Sequence, residues 1–175
     1  MKPTPAASKA RREVGRGAGG SSRSGLGQKK AGGEVGGIVG TCVRGGGEGI
    51  KDLPASVLVR SLKEGLPVHE LDALRSSLDL PMDRLVPMLG ISKATLHRRK
   101  LAGRLDAAES DRVVRFARLL GRAATVMESL ESGRCWLMSP QVGLGGSVPL
   151  EYAETEVGAR EVEDLLGRIE YGVYS

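Results

Sequence analysis

The chain has 175 residues and a formal net charge of +5, room enough for one ordinary domain or for two small ones and a tail. Residues 1–50 hold 9 Lys/Arg against 3 Asp/Glu and the remainder 17 against 18, so the basic balance belongs to the N-terminal part and is not by itself a DNA-binding surface on the folded part. From two distant cysteines, Cys42 and Cys135, and two histidines, His69 and His97, no four-ligand cluster with zinc spacing can be assembled, and no apolar run approaches the ~20 residues of a membrane span.

Residues 1–50 carry 15 of the 26 glycines, interleaved with Ser, Lys and Arg. Such a stretch buries too little apolar surface to offset the entropy of ordering it, which predicts a disordered, flexible tail. Its Gly-rich pieces are not a phosphate loop, because no Gly-Lys-Ser/Thr follows and no apolar strand precedes them. The basic N-terminus lacks the apolar stretch of a signal peptide. Free thiols in a reducing cytosol are the simplest reading of the cysteines, and the expected location is cytoplasmic.

From Ile50 the periodicity becomes helical. Val57, Leu58 and Leu62 mark a short first segment, and Val68, Leu71, Leu74 and Leu78 repeat as one buried face. Leu85, Met88 and Leu89 define a short helix ending at Gly90, and Leu96 anchors another from Ser92 to about Gly103. Asp106-Ala-Ala-Glu109 has the form of a capping box. It opens the longest helix, with Val113, Phe116, Ala117, Leu120, Ala124 and Met127 inward. A shorter helix carries Cys135, Trp136 and Leu137, with Trp136 read as core. A glycine-containing loop from Ser139 to Pro149 follows. A last helix runs from about Glu156 to Glu170, with Val157, Val162, Leu165, Leu166 and Ile169 inward. The fold class is all-α, with a helix-turn-helix domain over residues 51–105, a small helical domain over 106–175 and the tail over 1–50.

The segment from Met82 to Lys100 has the spacing of a DNA-binding helix-turn-helix. Gly90 suits the sharp turn, Ile91 plugs the angle between the helices, and Ser92 is the N-cap of the second. Pro87 falls inside the first helix, where it should kink or shorten it. Ser92, Lys93, Thr95, His97, Arg98, Arg99 and Lys100 are the candidate DNA-binding residues. Those at the N-terminal end of the helix suit base edges, and the cations further along suit phosphates. From Asp83 to Arg104 there are 6 Lys/Arg against 1 acid, so the charge that DNA requires is met locally.

At the other end, residues 149–175 hold 7 acids against 2 arginines, and Gly167 and Gly172 flank the final turn. Tyr171 and Tyr174 are large anchors with polar tips. No catalytic constellation surrounds either histidine, and Glu161, Glu163 and Asp164 read as a solvated face, so an enzyme is not expected. Leu144-Gly-Gly146 reads as a tight loop.

From about Leu85 to Ser175 the sequence is similar to antitoxins of the Xre/MbcA/ParS type, partners of RES-domain toxins. The motifs that carry the likeness are Leu-Gly-Ile-Ser-Lys-Ala-Thr-Leu-His-Arg-Arg-Lys100, Glu109-Ser-Asp-Arg-Val-Val-Arg, Trp136-Leu-Met-Ser-Pro140, Thr155-Glu-Val-Gly-Ala159 and Val162-Glu-Asp-Leu-Leu-Gly-Arg to Ser175. The resemblance implies a two-domain helical homodimer that binds its own operator DNA. It also implies inhibition of a toxin that consumes NAD or transfers ADP-ribose, with the chain end covering the toxin's cleft. Arg168, Tyr171, Val173, Tyr174 and Ser175 are the candidate toxin-binding residues. Neither a cofactor nor a metal is implied. The alternative is a dimeric helix-turn-helix regulator without a toxin partner, and a neighbouring gene for a small RES-type protein separates the two.

Overall fold

A computed structural model describes residues 37–46 and 53–173. In chain order the helices are α1 Ile38–Arg44, α2 Ala55–Glu64, α3 His69–Leu78, α4 Met82–Met88, α5 Lys93–Ala102, α6 Ala107–Val126, α7 Leu130–Met138, α8 Pro149–Tyr152 and α9 Glu156–Glu170, with a 3-10 turn at Val142–Leu144. Among the described residues there is no strand; the extended pairings are isolated bridges, Pro67 with Arg104 and Gln141 with Ser147. No helix of the described residues is long and apolar enough to cross a membrane.

Local chemistry sets most of the boundaries. The capping box of α6 is complete: Asp106 Oδ1 accepts the Glu109 N–H at 2.7 Å and Glu109 Oε2 accepts the Asp106 N–H at 2.9 Å. Ser129 and Thr155 cap α7 and α9, accepting from the Ser132 and Gly158 N–H groups. Pro149 occupies the start of α8, where its missing N–H costs nothing. Helix α3 ends in a Schellman turn in which Leu80 N–H reaches the Arg75 carbonyl and Asp79 N–H that of Ser76.

Among the described residues helix α6 is the central element and packs against α1, α2, α3, α7 and α9. Its buried residues include Val113, Val114, Phe116, Ala117, Leu119, Leu120 and Ala123. That set is wider than a single apolar stripe, because neighbours cover the helix on more than one side. Ala124 and Met127, expected inward, are half-buried. Trp136 is half-buried against the core beside the fully buried Leu137.

Two expectations are corrected. The stretch expected to lack fixed structure as far as residue 50 contains α1, whose Val39 and Cys42 are buried; residues 1–36 and 47–50 of that stretch lie outside the described residues. Composition obscured it because the helix is only seven residues long and draws its stability from tertiary contacts. At Gly121 of α6, a Cβ would lie 2.3 Å from the Cys42 carbonyl oxygen, so the absence of a side chain lets α1 approach. The second correction is Val157, expected inward but 73% exposed. The buried face of α9 is set by Gly158, Ala159, Val162, Leu165 and Leu166. Five residues before Val162 is about 140° round a helix, which turns Val157 outward.

Candidate functional site

The helix-turn-helix is built as the spacing predicts. Helix α4 continues through Pro87 and stops one residue later, at Met88. It closes in a Schellman turn: Gly90 N–H donates to the Pro87 carbonyl at 2.8 Å and Ile91 N–H to the Val86 carbonyl at 3.0 Å. Gly90 takes φ +64°, the left-handed region that penalises a side chain. The proline therefore lies within a helix already near its end, and its carbonyl serves the turn. Ile91 is buried, as are Leu85 and Val86, while Leu96 packs half-buried from α5. Ser92 Oγ accepts the Thr95 N–H at 3.1 Å and donates to Thr95 Oγ1 at 2.9 Å.

Helix α5 has no fully buried residue. Ser92, Lys93, His97, Arg98 and Lys100 are exposed and Thr95 is half-buried. Lys93, Arg98 and Lys100 pair with no acid among the described residues, so their charge is available to a partner. Arg99 is different. Its Nε donates to Glu109 Oε2 at 2.7 Å and its Nη2 to Asp106 Oδ2 at 2.6 Å. The hydrogen bond to Glu109 and the nearby carboxylate charges raise its pKa above the ordinary guanidinium value, against a smaller cost of burial. The candidate DNA-binding set thus divides into five exposed residues, the half-buried Thr95 and one arginine turned onto α6. Leu101, which sequence reasoning did not single out, is 78% exposed at the end of the same helix.

The second candidate surface lies at the end of α9. The helix closes through Gly172 N–H to the Ile169 carbonyl and Val173 N–H to the Arg168 carbonyl, a third Schellman turn. Tyr171 and Val173 emerge 80% and 55% exposed. Beside them a cleft of about 570 Å³ is lined by Pro140, Gln141, Val142, Leu165, Arg168 and Val173. The structure therefore brings Arg168 and Val173 together; Tyr174 and Ser175 lie outside the described residues. Val142, which the sequence reading placed in a loop without a role, is 96% exposed at the rim. An apolar Val in a glycine-containing loop was the available signal.

Three of the acids that made the C-terminal end look like a free negative surface are already paired with α6. Arg115 Nε lies 3.2 Å from Glu156, Arg118 lies 3.6 Å from Glu163, and Arg122 pairs with Glu170. Among the described residues no cluster of His, Cys, Asp and Glu can hold a metal ion. Cys42 is buried and Cys135 exposed, both as free thiols.

Comparison with known proteins gives matches over both surfaces. Residues 57–118 match the model of the antitoxin Xre-like helix-turn-helix domain, and residues 122–172 that of the antitoxin Xre/MbcA/ParS C-terminal toxin-binding domain. The junction between the matches falls inside α6. An antitoxin Xre of Yersinia enterocolitica is 38% identical over 129 residues, 70% of this chain and 86% of its own length. An antitoxin Xre of Photorhabdus laumondii is 33% identical over 116 residues, 65% of this chain and 78% of its own. A Prs ADP-ribosylating antitoxin of a Sphingobium species is 25% identical over 126 residues, 65% of this chain and 78% of its own.

Proposed function

The chain belongs to the Xre antitoxin family, with a helix-turn-helix domain and a toxin-binding domain, and from that premise we propose that it neutralises a RES-domain toxin and represses its own promoter as a cytoplasmic homodimer. The observation that carries the reading is that one core presents two exposed surfaces of different chemistry. Helix α5 offers unpaired cations beside the Ser92 and Thr95 hydroxyls, the mixture that holds phosphates and reads base edges. The end of α9 offers Tyr171 and Val173 beside an arginine-lined cleft, the mixture that anchors a protein interface.

The toxin-facing residues are Arg168, Tyr171 and Val173, with Tyr174 and Ser175 following them in sequence. The DNA-facing residues are Ser92, Lys93, Thr95, His97, Arg98 and Lys100. A toxin acting on NAD or transferring ADP-ribose is supported by the name of the Sphingobium relative, which couples antitoxin to ADP-ribosylation. The chain acts by occupying its partner, and no reaction of its own is assigned.

The test is co-expression with a RES-domain toxin, taken from the chain's own gene neighbourhood. The full chain should restore growth and co-purify with the toxin, and a chain ending before Glu156 should do neither. If the toxin arrests growth equally with and without the full chain, the assignment fails.

A further inference from the structure

Arg99 stands in the sequence between two exposed cations, Arg98 and Lys100, yet its guanidinium is committed elsewhere. It bonds both carboxylates of the α6 capping box, and Glu109 Oε2 accepts from Arg99 Nε at 2.7 Å and from the Asp106 N–H at 2.9 Å. The Glu109 side chain is 6% exposed and that of Arg99 22%. A planar guanidinium bonded to two fixed carboxylates has little rotational freedom, so the bonds fix α5 as well as the charge. A second arginine grips the turn of the motif: Arg112 Nη1 donates to the Leu89 carbonyl at 2.9 Å, immediately before Gly90. Helix α6 thus holds both the turn and the C-terminal half of α5.

We propose that Arg99 is a positioning residue for DNA binding rather than a DNA contact. It clamps the recognition helix to α6 at an orientation that lets Lys93, His97, Arg98 and Lys100 address one groove. The inference rests on the DNA-binding reading above. The two roles predict opposite signs for one substitution. Glu109→Gln keeps an acceptor for the capping box but removes the charge that holds Arg99. If Arg99 were a phosphate contact, releasing it would tighten DNA binding; as a clamp, its release weakens it. Lysine separates the roles in a second way, since it replaces arginine as a point charge on a phosphate but does not bridge two carboxylates in a plane.

The experiment measures the full chain by fluorescence anisotropy. It uses a duplex from immediately upstream of its own gene and a random duplex of equal length, over a range of salt. Arg99→Lys and Glu109→Gln should each weaken binding about tenfold, and the double variant should be little worse than either. Tighter binding by Glu109→Gln, or additive losses in the double variant, overturns the clamp while leaving the DNA-binding reading intact. A wild-type chain that binds neither duplex sinks the DNA-binding reading instead. Thermal melting of the same variants reads the clamp without DNA, and additive losses there overturn it as well.

Discussion

The Glu70 carboxylate closes the N-terminus of α1, accepting the Ile38 N–H at 2.9 Å and the Val39 N–H at 3.0 Å from 32 and 31 residues away in sequence. Glu70 is 4% exposed, so a charge in a nearly dry site is stabilised by the free N–H groups and positive end of a helix. Because Val39 and Cys42 sit in the core, this contact ties the N-terminal segment to the fold. Glu70→Ala should cost about 1.5–3 kcal/mol in urea unfolding, the scale of charge-assisted hydrogen bonds lost from a buried site. A chain beginning at Ile50 should melt below one beginning at Gly36. Equal melting of the two would show that α1 contributes nothing to stability.

Cys42 reports on the same contact. Burial pushes its thiol pKa up; Arg118 opposes the shift and the charge of Glu70 adds to it. Its neutral form therefore suits the folded state. The stabilising effect is complete below the ordinary thiol value and is lost as pH rises through the raised folded value, because the unfolded chain releases its proton first. Cys42→Ala should remove that alkaline decline. In the native protein one thiol, Cys135, should label rapidly with a thiol reagent, and Cys42 only on unfolding.

Gly121→Ala tests the close approach from the opposite side. The new methyl would meet the backbone carbonyl of Cys42, which cannot swing aside as a side chain can. A loss of about 1–3 kcal/mol is expected, with faster Cys42 labelling as α1 is displaced. If labelling stays slow while stability falls, the strain is being relieved within α6.

Much of this architecture was legible in the sequence, because the signals were local. Gly90, Ser92 and the Asp106–Glu109 box each specify a turn or cap within a few residues, and the structure uses all three as expected. What escaped were contacts between distant segments. Nothing in residues 37–46 announces that Glu70 will cap them. An arginine between Arg98 and Lys100 gives no sign that it faces acids seven and ten residues on. The α9 acids likewise looked free because their partners, Arg115, Arg118 and Arg122, are more than 30 residues away. Val157 was misplaced by counting apolar residues without fixing the phase of the buried face.

For DNA, the exposed cations of α5 carry the expectation. Arg98→Ala and Lys100→Ala should each reduce the slope of log affinity against log salt by about one, since each lost phosphate contact releases one fewer counterion. Lys93 and Thr95, at the N-terminal end of the helix, should instead change which sequence is preferred. A slope that stays constant through both alanine variants would place the DNA on another surface.

At the far end, the expected inhibitory element is the emergence of Tyr171 and Val173 from a closed helix turn beside Arg168. The Schellman turn fixes where the chain leaves α9, so the exposed aromatic is presented from a rigid base, and less ordering entropy opposes binding. Tyr171→Ala should weaken the toxin complex by about 2 kcal/mol or more, the level of an interface hot spot, with thermal stability unchanged because the ring touches little of the core. Arg168 lines the cleft, so Arg168→Ala should act in the same direction, through a lost charge-assisted bond to the partner. Deleting residues 171–175 should leave DNA binding intact while restoring toxicity in cells that make both proteins. Titration calorimetry separates two outcomes: binding lost, or binding kept with the toxin active. The first makes this end an anchor, and the second makes it a cap over the toxin's cleft. Full inhibition by the truncated chain would move the interface elsewhere, to the exposed face of α9 that carries Val157, Glu161 and Asp164.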